Sequence, residues 1–294
     1  MRTISLLALL LLALPARAEL YYLIVGGLGG DPLYAERFAS YVSTMSSAAR
    51  RTLGDEARVK VLSGDSATAD AVREALTELA ETTEPADRLA VFLIGHGSYD
   101  GSKYKFNLTG PDLDGDELAV LLADIPAQSQ LVVNATSASG AVLESWAADG
   151  RTLITATRSG AERNATRFAE YWARALSSDD ADLNKNGSIS AQEAFDYAAR
   201  LVAESFEEEG ALATEHPELR GDAAGAFEAS RLTERVAATP EVELLNREVA
   251  RLEEEIASLR LRRGVLGDEY LTPLQSRRGE RARVQERIDE ATAE

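Results

Sequence analysis

RLAVFLIGHG, residues 88–97, decides the architecture. Leu89 to Ile94 is an unbroken apolar run that closes on Gly95-His96-Gly97. A strand that is apolar at every position, rather than at alternate ones, is buried on both faces. That pattern belongs to a parallel sheet covered by helices. The same pattern repeats outward from this stretch. Upstream, YYLIVGGL (21–28) reads as a strand followed by a helix to about Leu53. RVKVLSG (58–64) reads as a strand followed by a helix around 68–82. Downstream come a loop, a helix over 115–124, the strand QLVVNAT (130–136), a short helix, the strand RTLITATRSG (151–160) and a helix over 164–177. Strands alternating with helices predict βαβ units. The expected fold class is therefore α/β, a three-layer α/β/α domain with a mostly parallel sheet and right-handed crossovers.

The chain has 294 residues, 45% of them hydrophobic, which suffices for one sizeable α/β domain and an appendage. Its formal charge of −18 argues against nucleic acid and anionic membranes as partners, since both would repel it. There is no cysteine, so neither a thiolate nucleophile nor a disulfide is available. The first residues, MRTISLLALLLLALPARA, combine Arg2, a short apolar run over 4–14 and Ala16-Arg17-Ala18. This is the pattern of a secretory signal peptide cleaved after Ala18. The expected location is periplasmic or extracellular, and loss of Arg2 and Arg17 leaves a charge of −20. No later segment is apolar enough to span a membrane.

In open parallel sheets, chemistry collects at the carboxyl ends of the strands. Two ends stand out. His96 lies between glycines that let a ligand backbone approach and leave the Gly97 amide free to donate. Thr136, Ser137 and Ser139 follow the strand at 130–136. One helical crossover fills the interval, so the two ends can lie side by side. A histidine there can act as general base toward a hydroxyl, with the Gly97 backbone N–H as oxyanion donor. GGLGGDPLYAERF (26–38) lies on the same side and reads as a glycine turn forming a cleft wall, with Arg37 as a surface helix arginine or, alternatively, part of a specificity pocket for an acidic or amide side chain.

These residues carry a resemblance. A buried strand ending in His-Gly, then a parallel strand ending in Ala-Cys-x-Ser-Gly, is the dyad layout of the caspase–legumain group of cysteine peptidases. Residues 20–205 resemble its bacterial legumain-like branch, and ITATRSGAERNATRF (154–168) is similar to the stretch that follows the nucleophile there. The resemblance implies a caspase-like fold with His96 at the catalytic histidine. Anchoring on Ser139-Gly140 puts Ser137 at the nucleophile position, so serine replaces the family's cysteine and Thr136 replaces the preceding alanine. Two functions follow: a non-catalytic relative that binds a peptide or protein, or a serine-type peptidase using Ser137 with His96. Serine needs a base held by a third group, and Asp100 and Asp116 are the candidate orienters.

DLNKNGSISAQE (182–193) matches an EF-hand calcium loop. Asp182, Asn184 and Asn186 occupy positions 1, 3 and 5, and Gly187 makes the turn at 6. Ser188 offers its carbonyl at 7, Ser190 stands at 9, and Glu193 supplies the carboxylate at 12. A structural calcium ion is expected. The alternative is a capping box, Ser190 with Glu193, opening the next helix. PDLDGDEL (111–118) lacks the last acid and reads as a loop with Asp114 capping a helix. Asn107, Asn134 and Asn164 each begin N-x-T, and no glycan is assigned to them. His216 has no evident partner.

Near Pro240 the character changes. Val242, Leu245, Val249, Leu252, Ile256 and Leu259 recur at spacings of three and four, an a/d seam. Pro273 is expected to break the pattern ahead of a second charged helix over 274–291. The tail folds back on itself as a hairpin, or self-associates through 242–259 as a coiled coil. The domain plan is a signal peptide at 1–18, an α/β domain at 19–235 and a helical, coiled-coil-like extension at 240–294.

Overall fold

A computed structural model describes residues 18–233, 244–245, 247–249, 251–252, 255–256 and 271–292. Residues 1–17 of the expected signal peptide, Val242 and Leu259 lie outside these residues. The chain divides into two compact units between Glu234 and Arg235.

The first unit runs β1 (Leu20–Gly26), α1 (Pro32–Leu53), β2 (Val59–Ser63), α2 (Ala69–Thr82) and β3 (Arg88–Gly95). Three short strands follow, β4 (Gly97–Tyr99), β5 (Tyr104–Phe106) and β6 (Leu113–Asp114), and then α3 (Gly115–Ala123). It continues with β7 (Ser129–Thr136), β8 (Arg151–Thr155), α4 (Phe168–Ala175), β9 (Ser188–Ser190), α5 (Ala191–Glu208), β10 (Glu218–Arg220) and β11 (Glu228–Arg231). The main sheet has the order β10-β8-β7-β3-β1-β2. β10 is antiparallel to β8, and every other pair is parallel.

Alternate residues of each strand feed two cores. Tyr22, Ile24, Phe92 and Val133 meet Met45 of α1, Trp172 of α4 and Val202 of α5 on one face. Leu23, Val91, Leu93 and Val132 meet Val72 and Leu76 of α2 and Leu118 of α3 on the other. This is the three-layer α/β/α arrangement expected from the continuous apolar strands. The helices start where side chains satisfy their open amides. Asp31 caps α1 ahead of Pro32, and Thr68 caps α2. Asp114 caps α3, as its sequence position implies.

Three features differ from the sequence reading. RTLITATRSG leaves the sheet at Thr155 rather than Gly160, because Thr157 turns its hydroxyl to the Gly140 amide at 2.8 Å. The following helix begins at Phe168, not 164. The stretch 97–114, read as a loop, forms the small sheet β4-β5-β6.

In the second unit, α6 (Leu271–Thr292) contains Pro273 in its first turn, so the second charged helix starts at 271 rather than 274. A missing N–H costs nothing there, since no intrahelical acceptor is waiting for it. Leu245, Leu252 and Val284 form one buried cluster with Val249 against it, and Arg277 pairs with Glu255 at 2.7 Å. No described helix is long and apolar enough to cross a membrane.

Candidate ligand cleft at the strand ends

β3 and β7 are in register, with Gly95 beside Thr136. His96 and Ser137 therefore leave the sheet at the same level on adjacent strands. Gly97 is packed against them: a Cβ there would collide with the Ser137 carbonyl, the Thr136 hydroxyl and the Tyr104 ring. The Asn107 amide donates to the His96 carbonyl at 3.1 Å. That places the Gly97–Phe106 pair in the non-bonded phase of the β4–β5 ladder, so β5 leaves the Gly97 amide unused.

The half-buried His96 ring stands edge-on to Tyr34 and Phe38 of α1, with centroids 4.8 and 5.1 Å away. Burial holds its pKa below the usual histidine value, and a hydrogen-bonding contact with the Gly29 backbone acts in the opposite direction. Neither expected orienter reaches it. Asp100 turns back on its own hairpin and accepts the Ser102 and Lys103 amides, both at 2.8 Å. Asp116 is exposed in the first turn of α3, its amide tied to Asp114. Sequence proximity to the cleft did not translate into contact, because both aspartates serve local turns.

Ser137 is only 3% exposed. Among the described residues, no hydrogen bond joins its hydroxyl to the His96 ring. Its backbone is fixed from below. The Tyr104 hydroxyl lies 2.6 Å from the Thr136 hydroxyl, which also donates to Asn134 Oδ1 at 2.8 Å and to the Ser137 carbonyl at 3.2 Å. Burial pushes the Tyr104 phenol up to about 12, so it stays protonated as a donor. Just beyond Ser137, Ala138 adopts the left-handed region at φ 56°. That conformation costs a non-glycine residue about 1–2 kcal/mol. It is held by a bond from the Ala138 amide to the Glu162 carbonyl at 2.7 Å. Gly140 follows with no room for a side chain, its Cα facing the backbone of 157–159.

The glycine turn after β1 packs against the small sheet. Gly27 lies against Phe106 and the Asn107 carbonyl, and the Leu28 amide donates to that carbonyl at 3.0 Å. Leu28 and Leu33 are exposed beside it. Arg37 is a surface residue paired with Glu170 at 3.4 Å. His216, which had no evident partner in the sequence, meets Glu162 at 2.6 Å through Nδ1. Tyr104, Tyr34, Phe38 and Glu162 were all missed. Tyr34 and Phe38 fall within the 26–38 stretch and Glu162 within 154–168, but no motif marks their contacts, and the packing of α1, β5 and the β8–α4 connection brings them to the site.

The 182–193 loop lies apart from these strand ends. Asp182 accepts the Asn186 amide at 3.0 Å and the Gly187 amide at 2.8 Å, and Gly187 takes φ 77°. Glu193 accepts the Ser190 amide and hydroxyl with one oxygen and the Asn184 amide and side chain with the other. The capping box is thus formed. Asn186 accepts the Ser188 amide, and β9 pairs with β11. Asp182 and Glu193 are both buried.

No family model and no curated protein matches the chain. Among solved structures it is similar to protein GSU0716 from Geobacter sulfurreducens, with 16% identity and a TM-score of 0.49 over 74% of this chain and 100% of that one. It is also similar to the Drosophila initiator caspase Dronc, with 10% identity and a TM-score of 0.39 over 63% of this chain and 72% of that one.

Proposed function

We propose that this chain is an exported, caspase–legumain-like domain that binds a peptide or protein at the His96–Ser137 cleft without cleaving it. The observation that carries this reading is the state of His96. The Tyr34 and Phe38 rings stand edge-on to it, burial lowers its basicity, and among the described residues no carboxylate bonds to it and no bond from it reaches Ser137. A serine hydroxyl is a weak nucleophile without such a base. The glycine-lined strand ends and the unused Gly97 amide remain suited to an extended backbone. The serine-peptidase alternative keeps one supporting observation, the strained Ala138 after Ser137. Incubation with a degenerate peptide library separates the two. Retention of a subset without new termini is expected, and new termini that vanish in Ser137→Ala would overturn the reading.

We also propose that Asp182, Asn184, Asn186, Ser188 and Glu193 take a structural calcium ion. The twelve-position match, the left-handed Gly187 and the two buried carboxylates support it. Calorimetry at millimolar calcium should detect binding that Glu193→Gln weakens, and absence of heat would remove the proposal. In the tail, contacts between Leu245, Leu252 and Val284 within one chain favour the hairpin over self-association through 242–259.

A further inference from the structure

We propose that the hollow beyond β8 is a carboxylate-binding subsite of the cleft, in which Arg163 and Arg158 hold an acidic group of the bound peptide. The proposal rests on the reading of the strand ends as the ligand cleft. β8, β7 and β3 are consecutive and parallel in the main sheet, so their carboxyl ends lie side by side. His96 leaves β3 and Ser137 leaves β7. The hollow, of about 340 Å³, continues this row at β8. One wall is the connection that follows β8, with Arg158, Glu162, Arg163 and Asn164. The other is the segment leading into β10, with Thr214 and His216, and β10 enters the sheet with Glu218 beside Thr155 at the end of β8. The connection touches the Ser137 turn directly. Its Glu162 carbonyl accepts the Ala138 amide at 2.7 Å, and its residues 157–159 pack on Gly140.

The charges in the hollow do not balance. Among the described residues Glu162 is the one carboxylate lining it, and both of its oxygens are engaged. Oε1 meets Arg158 Nε at 3.1 Å and His216 Nδ1 at 2.6 Å. Oε2 accepts the Arg158 amide at 3.0 Å and the His216 amide at 3.2 Å. Arg163 is exposed, and its guanidinium donates to the Gly160 carbonyl at 3.4 Å with no carboxylate partner among the described residues. The neighbouring acids are committed elsewhere. Glu215 accepts the Arg167 and Phe168 amides, Glu209 pairs with Arg167, and Glu218 pairs with Arg220. Two guanidinium groups therefore face one saturated carboxylate, in a chain whose formal charge is −18. A guanidinium with free N–H groups matches a carboxylate through two parallel hydrogen bonds. The Asn164 amide and the Thr214 hydroxyl can donate alongside it. Adjacent strands lie about 4.8 Å apart, so the end of β8 is about 10 Å from the end of β3. An extended peptide held at the Gly97 amide covers that distance in about three residues. The carboxylate is thus that of a side chain, or of a C-terminus, about three residues from the one at Gly97.

Equilibrium dialysis of the full chain against three pools of N-acetylated octapeptides tests the subsite, with bound peptide read by mass spectrometry. The first pool has a central Glu and an amidated C-terminus, the second a central Gln and a free C-terminus, and the third a central Gln and an amidated C-terminus. All other positions are degenerate over uncharged residues. A carboxylate pool should bind about tenfold more tightly than the neutral third pool, and whether it is the first or the second identifies the source of the carboxylate. Arg163→Gln should abolish the preference, and Arg163→Lys, which keeps the charge but loses the fork, should retain part of it. Arg163 is exposed, so thermal melting followed by circular dichroism should be the same for both variants and the parent chain. Equal binding of all three pools, or an undiminished preference in Arg163→Gln, would overturn the subsite and leave the cleft reading in place. Binding of no pool would remove the cleft reading, and the subsite with it.

Discussion

The strand-end cleft and the 182–193 loop both combine glycines with polar side chains, yet they are held together in opposite ways. In the loop, Asp182 and Glu193 accept hydrogen bonds from residues within the same twelve positions. In the cleft, almost nothing is local. His96 rests on α1, Ser137 stands on a network reaching Tyr104, and Ala138 hangs from Glu162. A local hydrogen-bonded loop is specified by its own residues. A cleft assembled from distant elements is specified by the packing of the whole sheet, and its chemistry depends on neighbours that spacing does not reveal. Here those neighbours give Ser137 support and, among the described residues, give His96 no acidic partner.

The sharpest way to break this comparison uses one glycine from each region. Gly140→Ala forces a methyl group into the backbone of 157–159 and should cost about 3 kcal/mol or more in urea unfolding. Gly187→Ala meets open space and only a left-handed backbone at φ 77°, so it should cost about 1 kcal/mol. Equal costs would erase the distinction between strand ends packed by distant elements and a loop whose carboxylates are satisfied locally. Glu193→Ala in calcium-free buffer removes the acceptor for the Ser190 and Asn184 donors and should lower stability by about 2 kcal/mol. A change near zero would mean that the loop does not depend on its own hydrogen bonds. Tyr104→Phe should cost about 1 kcal/mol by removing one buried hydroxyl from Thr136 and Asn134. Its calorimetric melting should drop accordingly, and an unshifted midpoint would show that the network under Ser137 contributes nothing.

Much of the architecture is legible in the chain because parallel strands buried on both faces are apolar at every position. β3 and β7 announce themselves, and the interval between them places His96 and Ser137 at neighbouring strand ends. β10 does not announce itself: Glu218-Leu219-Arg220 carries no apolar run, and only pairing with β8 makes it a strand. β4 to β6 are too short for an alternation to register. RTLITATRSG reads as continuous because the residues after Thr155 remain strand-compatible, while the hydroxyls of Thr155 and Thr157 bend the chain. Asp100 and Asp116 could not be told from orienters, since a carboxylate's partner is decided by the turn that it closes. Glu162 and His216 are 54 positions apart, and no pattern links them. The loop's side-chain bonds, by contrast, follow directly from the spacing of Ser190 and Glu193.

Ser137 itself provides the most direct test of a binding cleft without turnover. Purified protein treated with a fluorophosphonate should keep its intact mass, with and without calcium, and match Ser137→Ala. A stoichiometric adduct on Ser137 that disappears in His96→Ala would contradict the account and establish the pair as a working serine–histidine couple.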